Sequence, residues 1–452
     1  MRANAILGRF LGLALSAFAL SVQAEVMRID LSSALRLAHE ENTDLAIQLE
    51  RVKQAEISQN MAWYQWLPTV RAGFSSVDQD GLLQNTNGTV IDVDREASSR
   101  GFGVASTGSG LAPMPGVSLS LDLADGIFEP LSAKQKLIAA RAQEIETRQN
   151  LALEVAGAYY ELVQSRRLME VAEEAATNAS NLEKVTSDFA SAGEGLQADA
   201  DRAAVASLMH QNQLEMVRVR AVNASNRLVQ LLRLDDQVEL QPVDNMIVPL
   251  NLFPVEPQLD SLVNKALVKR PELKRYQALV MAEQASLNRA TWGNLIPKLG
   301  ASYSDYNFKG GPDGSVSSYR RRDESMVALY WELENLGMTS WAKKQTQESR
   351  LREAKAREEQ AESDIIADVG SALAQFRAAG KQLEFLKQAV DRARKAYELS
   401  IERIYENQGL PLEALQAMNT LAEVEALYLS ASAQRNLSQL YLLAATGEEV
   451  SY

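Results

Sequence analysis

From Val117 to Leu123 the chain reads VSLSLDL, with apolar residues alternating with Ser118, Ser120 and Asp122. That period of two is the signature of a strand with one apolar and one wet face. Three more stretches alternate the same way. Val70, Ala72 and Phe74 alternate with Thr69, Arg71, Gly73 and Ser75. Leu299, Ala301 and Tyr303 alternate with Lys298, Gly300 and Ser302, and Val327, Leu329, Trp331 and Leu333 with Ala328, Tyr330 and Glu332. Aromatic residues flank these runs: Trp63, Tyr64, Trp66, Phe128, Trp292 and Trp331.

Helical periodicity fills most of the remainder. Long helices are expected over about Leu131–Phe189 and Trp341–Tyr405, each followed by a break and a returning helix. In the first, Leu151, Val155, Ala158, Leu162, Ser165, Met169, Ala172, Ala176 and Ala179 step alternately by four and three. Heptad spacing predicts a left-handed supercoil, and its small residues predict close approach of the partner helix. Alanines off this seam, at 139, 140 and 142, predict a second packed face.

The pattern occurs twice. LPTVRAGFSS from Leu67 corresponds to IPKLGASYSD from Ile296, and Trp63 to Trp292. VSLSLDLADGIFEPLSAKQ from Val117 corresponds to VALYWELENLGMTSWAKKQ from Val327, with a longer connection in the first copy. That connection carries the loop signals NTNG, STGSG and PMPG. Gly195-Leu196 and Gly409-Leu410 occupy the two helical breaks. The division expected is residues 1–24, a first repeat over 25–240, a linker over 241–258, a second repeat over 259–447 and a tail over 448–452. Proline marks the linker as having little regular structure.

Arg2 and Arg9, an apolar run from Phe10 to Leu20, and Val22 and Ala24 before Glu25 read as a secretory signal peptide cleaved after Ala24. No apolar run of membrane-helix length follows it. Periodicity alone leaves two partners open for the strands' apolar faces: helices of the same chain, or lipid. The export signal and the lack of another apolar partner favour lipid. Each strand reads clearly for only about seven residues, whereas a membrane strand needs about nine to eleven, so the strands should extend into their loops. Four strands cannot close a barrel, which needs about eight, so several copies must contribute.

The chain has 59 acidic and 46 basic residues, a net charge of −13, against the basic footprint of a nucleic-acid binder. It has no cysteine, which excludes disulfides, thiolate metal sites and lipid attached to an N-terminal cysteine. The two histidines, His39 and His210, sit in ordinary helical sequence. No nucleophile elbow, phosphate loop or zinc helix is present, so neither catalysis nor a cofactor is expected. GFGVASTGSG echoes a dinucleotide loop, but no amphipathic helix follows it.

The cleaved signal, the two helix–strand–strand–helix copies and the Gly-Leu breaks together resemble the TolC-like outer-membrane efflux proteins, over about Ile29–Gly447. The resemblance implies a mainly α fold with a small β part. It implies a homotrimer with a periplasmic helical barrel and a twelve-stranded transmembrane barrel, four strands coming from each chain. It also implies an exit duct for an inner-membrane RND or ABC transporter, joined through a periplasmic adaptor, in drug efflux or type I secretion. Leu119, Leu121, Leu329 and Trp331 would face lipid. Glu413 and Gln416 match the acidic ring at the family's tunnel entrance, the second without its charge; Asp199 and Asp201 are the first-copy equivalents. Arg403 and Tyr405 lie near the family's closing latch, whose matched arginine position is Gly409. Gly195, Leu196, Gly409 and Leu410 would be adaptor-docking tips. A soluble periplasmic adaptor or scaffold is the alternative, although such proteins carry one hairpin among β-rich modules. An exported enzyme is disfavoured by the missing site.

Overall fold

The computed structural model describes residues 25–450 apart from 72, 103, 106–113, 116, 236, 245, 255–256, 313–315 and 407–410. The expected signal peptide and the Gly409-Leu410 turn therefore lie outside the described residues.

In chain order the elements are β1 (Glu25–Ile29), α1 (Leu31–Glu41), α2 (Thr43–Tyr64), β2 (Thr69–Arg71), β3 (Gly73–Gln84), β4 (Val90–Phe102), β5 (Val104–Ala105), β6 (Met114–Pro115) and β7 (Val117–Asp122). Then come α3 (Leu123–Ser191), α4 (Gln197–Leu232), β8 (Val238–Pro242), α5 (Leu259–Lys269), α6 (Pro271–Trp292), β9 (Lys298–Pro312), β10 (Arg320–Tyr330), α7 (Met338–Tyr405) and α8 (Pro411–Ala445). Helix α3 runs 69 residues and α7 runs 68. Both start earlier than the alternation suggested.

The chain divides into two compact units. One takes Val155–Val248 and Leu386–Ala433 with the N-terminal residues to Ala38. It holds the parallel pair β1–β8, in which Met27 faces Leu240. This pair falls at the edge of the stretch expected to be irregular. Tyr159 is buried here and its hydroxyl donates to Asp244 Oδ2 at 2.8 Å. Burial and that carboxylate push the phenol well above its ordinary range. Most of the small-residue seam of α3 is buried as its spacing predicts: Val155, Ala158, Leu162, Ser165, Ala176 and Ala179 are buried, while Met169 and Ala172 are half-buried.

The other unit takes His39–Glu154, Pro249–Phe385 and the residues from Gln434 onward. Its helical core joins Leu262, Ala266, Leu273, Ile365, Val369, Phe376 and Leu442. Two fully buried amides on α8 hold the linker to this core. Asn436 Oδ1 accepts from the Leu250 N–H at 2.9 Å, and Gln439 accepts from the Leu252 N–H at 2.8 Å while donating to the Leu250 carbonyl. The extended linker thus obtains from side chains the hydrogen bonds its backbone lacks.

The same unit holds the main sheet, and its ladders resolve into four antiparallel strand paths. Both Phe102 of β4 and Val117 of β7 pair with Tyr303, so β4 and β7 are one path. Between them, among the described residues, β5 and β6 pair with each other. On one side this path pairs with β2 and β3, on the other with β9. Beyond β9 lies β10. The longer connection of the first copy is therefore partly strand: β4 lies inside it, and NTNG forms the β3–β4 turn, where Gly88 has φ +84°. Strands β3, β4 and β9 span 12, 13 and 15 residues, extended as expected. The fourth strand is displaced, running over Arg320–Tyr330 and leaving Trp331 and Leu333 beyond its end.

Candidate functional site: the helical tips and the base of the sheet

The tip of the first unit is built where all four long helices meet. Ala179 and Leu182 of α3, Ala203 of α4, Ile404 of α7, and Ala414, Leu415 and Met418 of α8 form one buried cluster. Small residues at 179, 203 and 414 let the helices close up before the chain reverses.

The reversal after α3 uses two glycines differently. Gly193 carries the left-handed backbone, with φ +79°. Gly195 does not; it is needed for space, because a Cβ there would sit 3.1 Å from the Ala190 nitrogen. Both Glu194 and Gly195 donate backbone N–H bonds to the Phe189 carbonyl. Leu196 precedes α4 in an extended conformation and is 70% exposed.

The charged candidates distribute around this tip. Arg403 Nη1 donates to Glu413 Oε2 at 3.3 Å, joining the last turn of α7 to the first turn of α8 across residues 407–410. Asp199, in the first turn of α4, pairs with Arg202 at 3.1 Å, and Asp201 accepts from Gln197 at 3.0 Å. Acids in a helix's first turn also suit the dipole. Gln416 lies in α8 on an exposed face. Tyr405 ends α7; its side chain lies outside the described residues. A contact not anticipated from sequence joins the two hairpins: His210 Nε2 lies 2.8 Å from Asn419 Oδ1.

At the sheet, register decides which apolar residues share a face. Val70, Leu119, Ala301 and Val327 form one row across four paths, and Leu121, Leu299 and Leu329 the next. The opposite face at these rungs carries Thr69, Ser120, Gly300 and Ala328. Further along β9 the first face turns polar, with Asp305 and Lys309, and Arg321 of β10 bonds Asp305 at 3.1 Å. The apolar band is thus confined to the helix-proximal end of the sheet. Trp331 follows β10 and its indole N–H donates to the Leu295 carbonyl, leaving the ring exposed.

An ion network closes the base. Asp122 caps α3 by accepting from the Ala124 N–H. Arg289 bonds Asp125 at 2.5 Å and lies 3.6 Å from Asp122. The guanidinium is half-buried; burial works against its charge, but the carboxylates outweigh that and raise its pKa further. No group of three or more metal-ligating side chains occurs among the described residues. None of the described helices is long and apolar enough to cross a membrane.

Residues 262–448 match the family model for outer membrane efflux proteins. Over that stretch the chain is similar to the outer membrane efflux proteins. Its fold is that of solved outer-membrane channels. It superposes on the outer-membrane channel OprN with a TM-score of 0.74 at 18% identity, over 92% of this chain and 89% of that one. For the outer membrane protein VceC of Vibrio cholerae the TM-score is 0.73 at 15% identity, over 93% and 96%. For the open state of the Neisseria gonorrhoeae MtrE outer membrane channel it is 0.69 at 18% identity, over 93% and 89%. No curated protein sequence matches. The family model covers the second repeat of this chain, and the structural likeness extends across both. The family comprises transport conduits rather than enzymes.

Proposed function

We propose that this chain is the outer-membrane exit duct of a multi-component efflux pump. Substrates would pass from an inner-membrane RND or ABC transporter through the periplasm to the exterior, with a periplasmic adaptor joining the parts. The observation that carries the reading is the pair of apolar rows at the helix-proximal end of the four-path sheet, Val70–Leu119–Ala301–Val327 and Leu121–Leu299–Leu329. Residues with large exposed area in these rows include Val327 and Leu329. A sheet with one such face and one of small polar residues suits a barrel between lipid and water.

The sheet's edges support a multimer. The β2–β3 path pairs on one side only among the described residues, and so does β10. Unpaired backbone groups cannot face hydrocarbon. Four antiparallel paths leave the two edges running in opposite directions. A neighbour's first path can therefore continue the antiparallel order after β10. Three copies would give twelve strands, and hence we read a homotrimer.

The four-helix tip would be the periplasmic entrance. Glu413 and Asp199 would add carboxylates there, favouring cations. Gln416 withholds a charge one turn further on, and the Arg403–Glu413 contact would form part of a latch with Tyr405. Leu196 and Leu410, with their glycines 195 and 409, would present apolar tips to the adaptor. The test is planar-bilayer conductance of the purified protein. Cation-selective steps with selectivity reduced by Glu413→Gln are expected. Conductance with unchanged selectivity would remove Glu413 from the entrance, and absence of conductance in wild type and in Arg403→Ala alike would count against the duct.

A further inference from the structure

The two repeats leave the sheet differently. At the end of β7, Asp122 caps the helix and α3 starts at once at Leu123. The matching residues after β10 form a loop, Trp331–Gly337, whose second half, Glu334–Gly337, is a distorted 3-10 turn, before α7 starts at Met338. The same junction can thus be made without a loop, so the second copy's loop is not a requirement of the fold.

That loop is held in an expensive conformation. Asn335 and Leu336 are both left-handed, with φ +50° and +55°, and Gly337 follows at +86°. Left-handed backbone is unfavourable for Leu336, though tolerated by asparagine, and such strain persists where surrounding structure enforces it. The enforcing contacts are local: Asn335 Nδ2 donates to Thr339 Oγ1 at 2.7 Å, and Lys343 bonds Glu334 at 2.9 Å. The result is outward display of Leu336, which is 96% exposed, between exposed Leu333 and Met338. Trp331 and Trp341 flank them, also exposed.

Two observations identify what this display meets. The loop directly follows the end of β10 that carries Leu329 of the apolar row Leu121, Leu299 and Leu329, on the helical side of the sheet. Beside it lies a recess lined by charges of both signs, Lys298, Lys343 and Arg289 with Asp122, Glu332 and Glu334. Exposed apolar side chains flanked by tryptophans match acyl chains and the membrane interface, and the recess charges, paired as Lys298–Glu332 and Lys343–Glu334, leave a near-neutral polar surface that suits a zwitterionic headgroup rather than an anionic one.

We infer that the loop Trp331–Gly337 is a wedge that enters the periplasmic leaflet of the outer membrane, with Leu336 and Met338 reaching the acyl chains of a zwitterionic phospholipid. The inference rests on the membrane reading above. A chain without cysteine cannot carry a thioether-linked lipid, and the wedge would anchor the barrel's lower rim by side chains alone.

The lack of cysteine also makes the test direct. Single variants Leu336→Cys and Leu329→Cys of the full chain are labelled with an environment-sensitive NBD dye. They are reconstituted into phosphatidylethanolamine–phosphatidylglycerol vesicles with and without brominated phospholipid. Loss of most of the emission at both positions is expected with brominated lipid. Quenching at 329 but not at 336 overturns the wedge and leaves the barrel standing. A Leu336→Cys, Leu67→Cys double variant that then cross-links between chains identifies a second copy as the occupant. Quenching at neither position removes the membrane reading together with the wedge.

Discussion

Leu121 of β7 lies directly opposite Leu299 of β9, and Leu299 in turn opposite Leu329 of β10. Ser120, one residue away, lies opposite Gly300 on the other face. Leu121→Lys should therefore reduce the assembled, outer-membrane-fractionated protein sharply. A lysine on the lipid face costs from about 0–1 kcal/mol near the interface to about 2–4 kcal/mol at the bilayer midplane. Ser120→Lys should assemble close to wild type. Immunoblots of membrane fractions on semi-native gels compare them, and equal tolerance at the two positions would contradict the facing of the sheet.

Gln439 makes two bonds to the linker while fully buried. Gln439→Leu should cost about 2–4 kcal/mol, because it strands the Leu252 N–H and the Leu250 carbonyl. Gln434→Leu, on the exposed side of α8, should stay within about 0.5 kcal/mol. Denaturant midpoints in detergent distinguish these outcomes.

Gly193 and Gly195 should respond to alanine for different reasons. Gly193→Ala has open space for its Cβ but forces a left-handed alanine, costing about 1–2 kcal/mol. Gly195→Ala meets the Ala190 backbone at 3.1 Å, so the end of α3 must move. Limited proteolysis across residues 190–200 should accelerate in both. Gly193→Asn, which tolerates the left-handed region better, should rescue the first position only.

Glu448 is bonded by Lys265 at 2.7 Å and lies 3.4 Å from Lys269. The Lys265 bond is the largest cause holding its carboxyl below the ordinary range. A depressed carboxylate stabilises above its unfolded pKa of about 4.3. That contribution disappears as pH falls through the folded value. The difference in thermal midpoint between wild type and Glu448→Gln should therefore be full above about pH 5 and shrink below about pH 4. The groups are about one-third exposed, so it corresponds to no more than about 1 kcal/mol. A difference that grows on acidification would contradict the assignment.

Sequence revealed the sheet only where one face is apolar. The rows through Leu119 and Leu299 alternate visibly, and there the strands were legible. Strand β4 and the far ends of β9 and β10 were not, because both faces there carry polar residues, as in Arg320–Ser325. The fourth strand lies earlier in the chain than the alternation predicts, for a related reason. Trp331 and Leu333 keep the alternation going, although the backbone has already left the ladder. The α3 seam was legible because small residues recur at heptad spacing without competition. The β1–β8 pair was not, since five-residue strands joined across about 210 residues leave no local periodicity. At the tip, Gly195 stood out through the repeat, yet the left-handed turn belongs to Gly193. The pairing of Arg403 with Glu413 depends on how α7 and α8 approach each other, which spacing does not encode.

The central claim is that one chain supplies a third of a membrane-embedded duct. Its most direct test is the mass of the particle extracted from outer membranes, by light scattering with the detergent contribution subtracted. Three mature chains per particle, with aggregation on detergent removal, is the result predicted. A monodisperse single chain that stays in solution without detergent would contradict it.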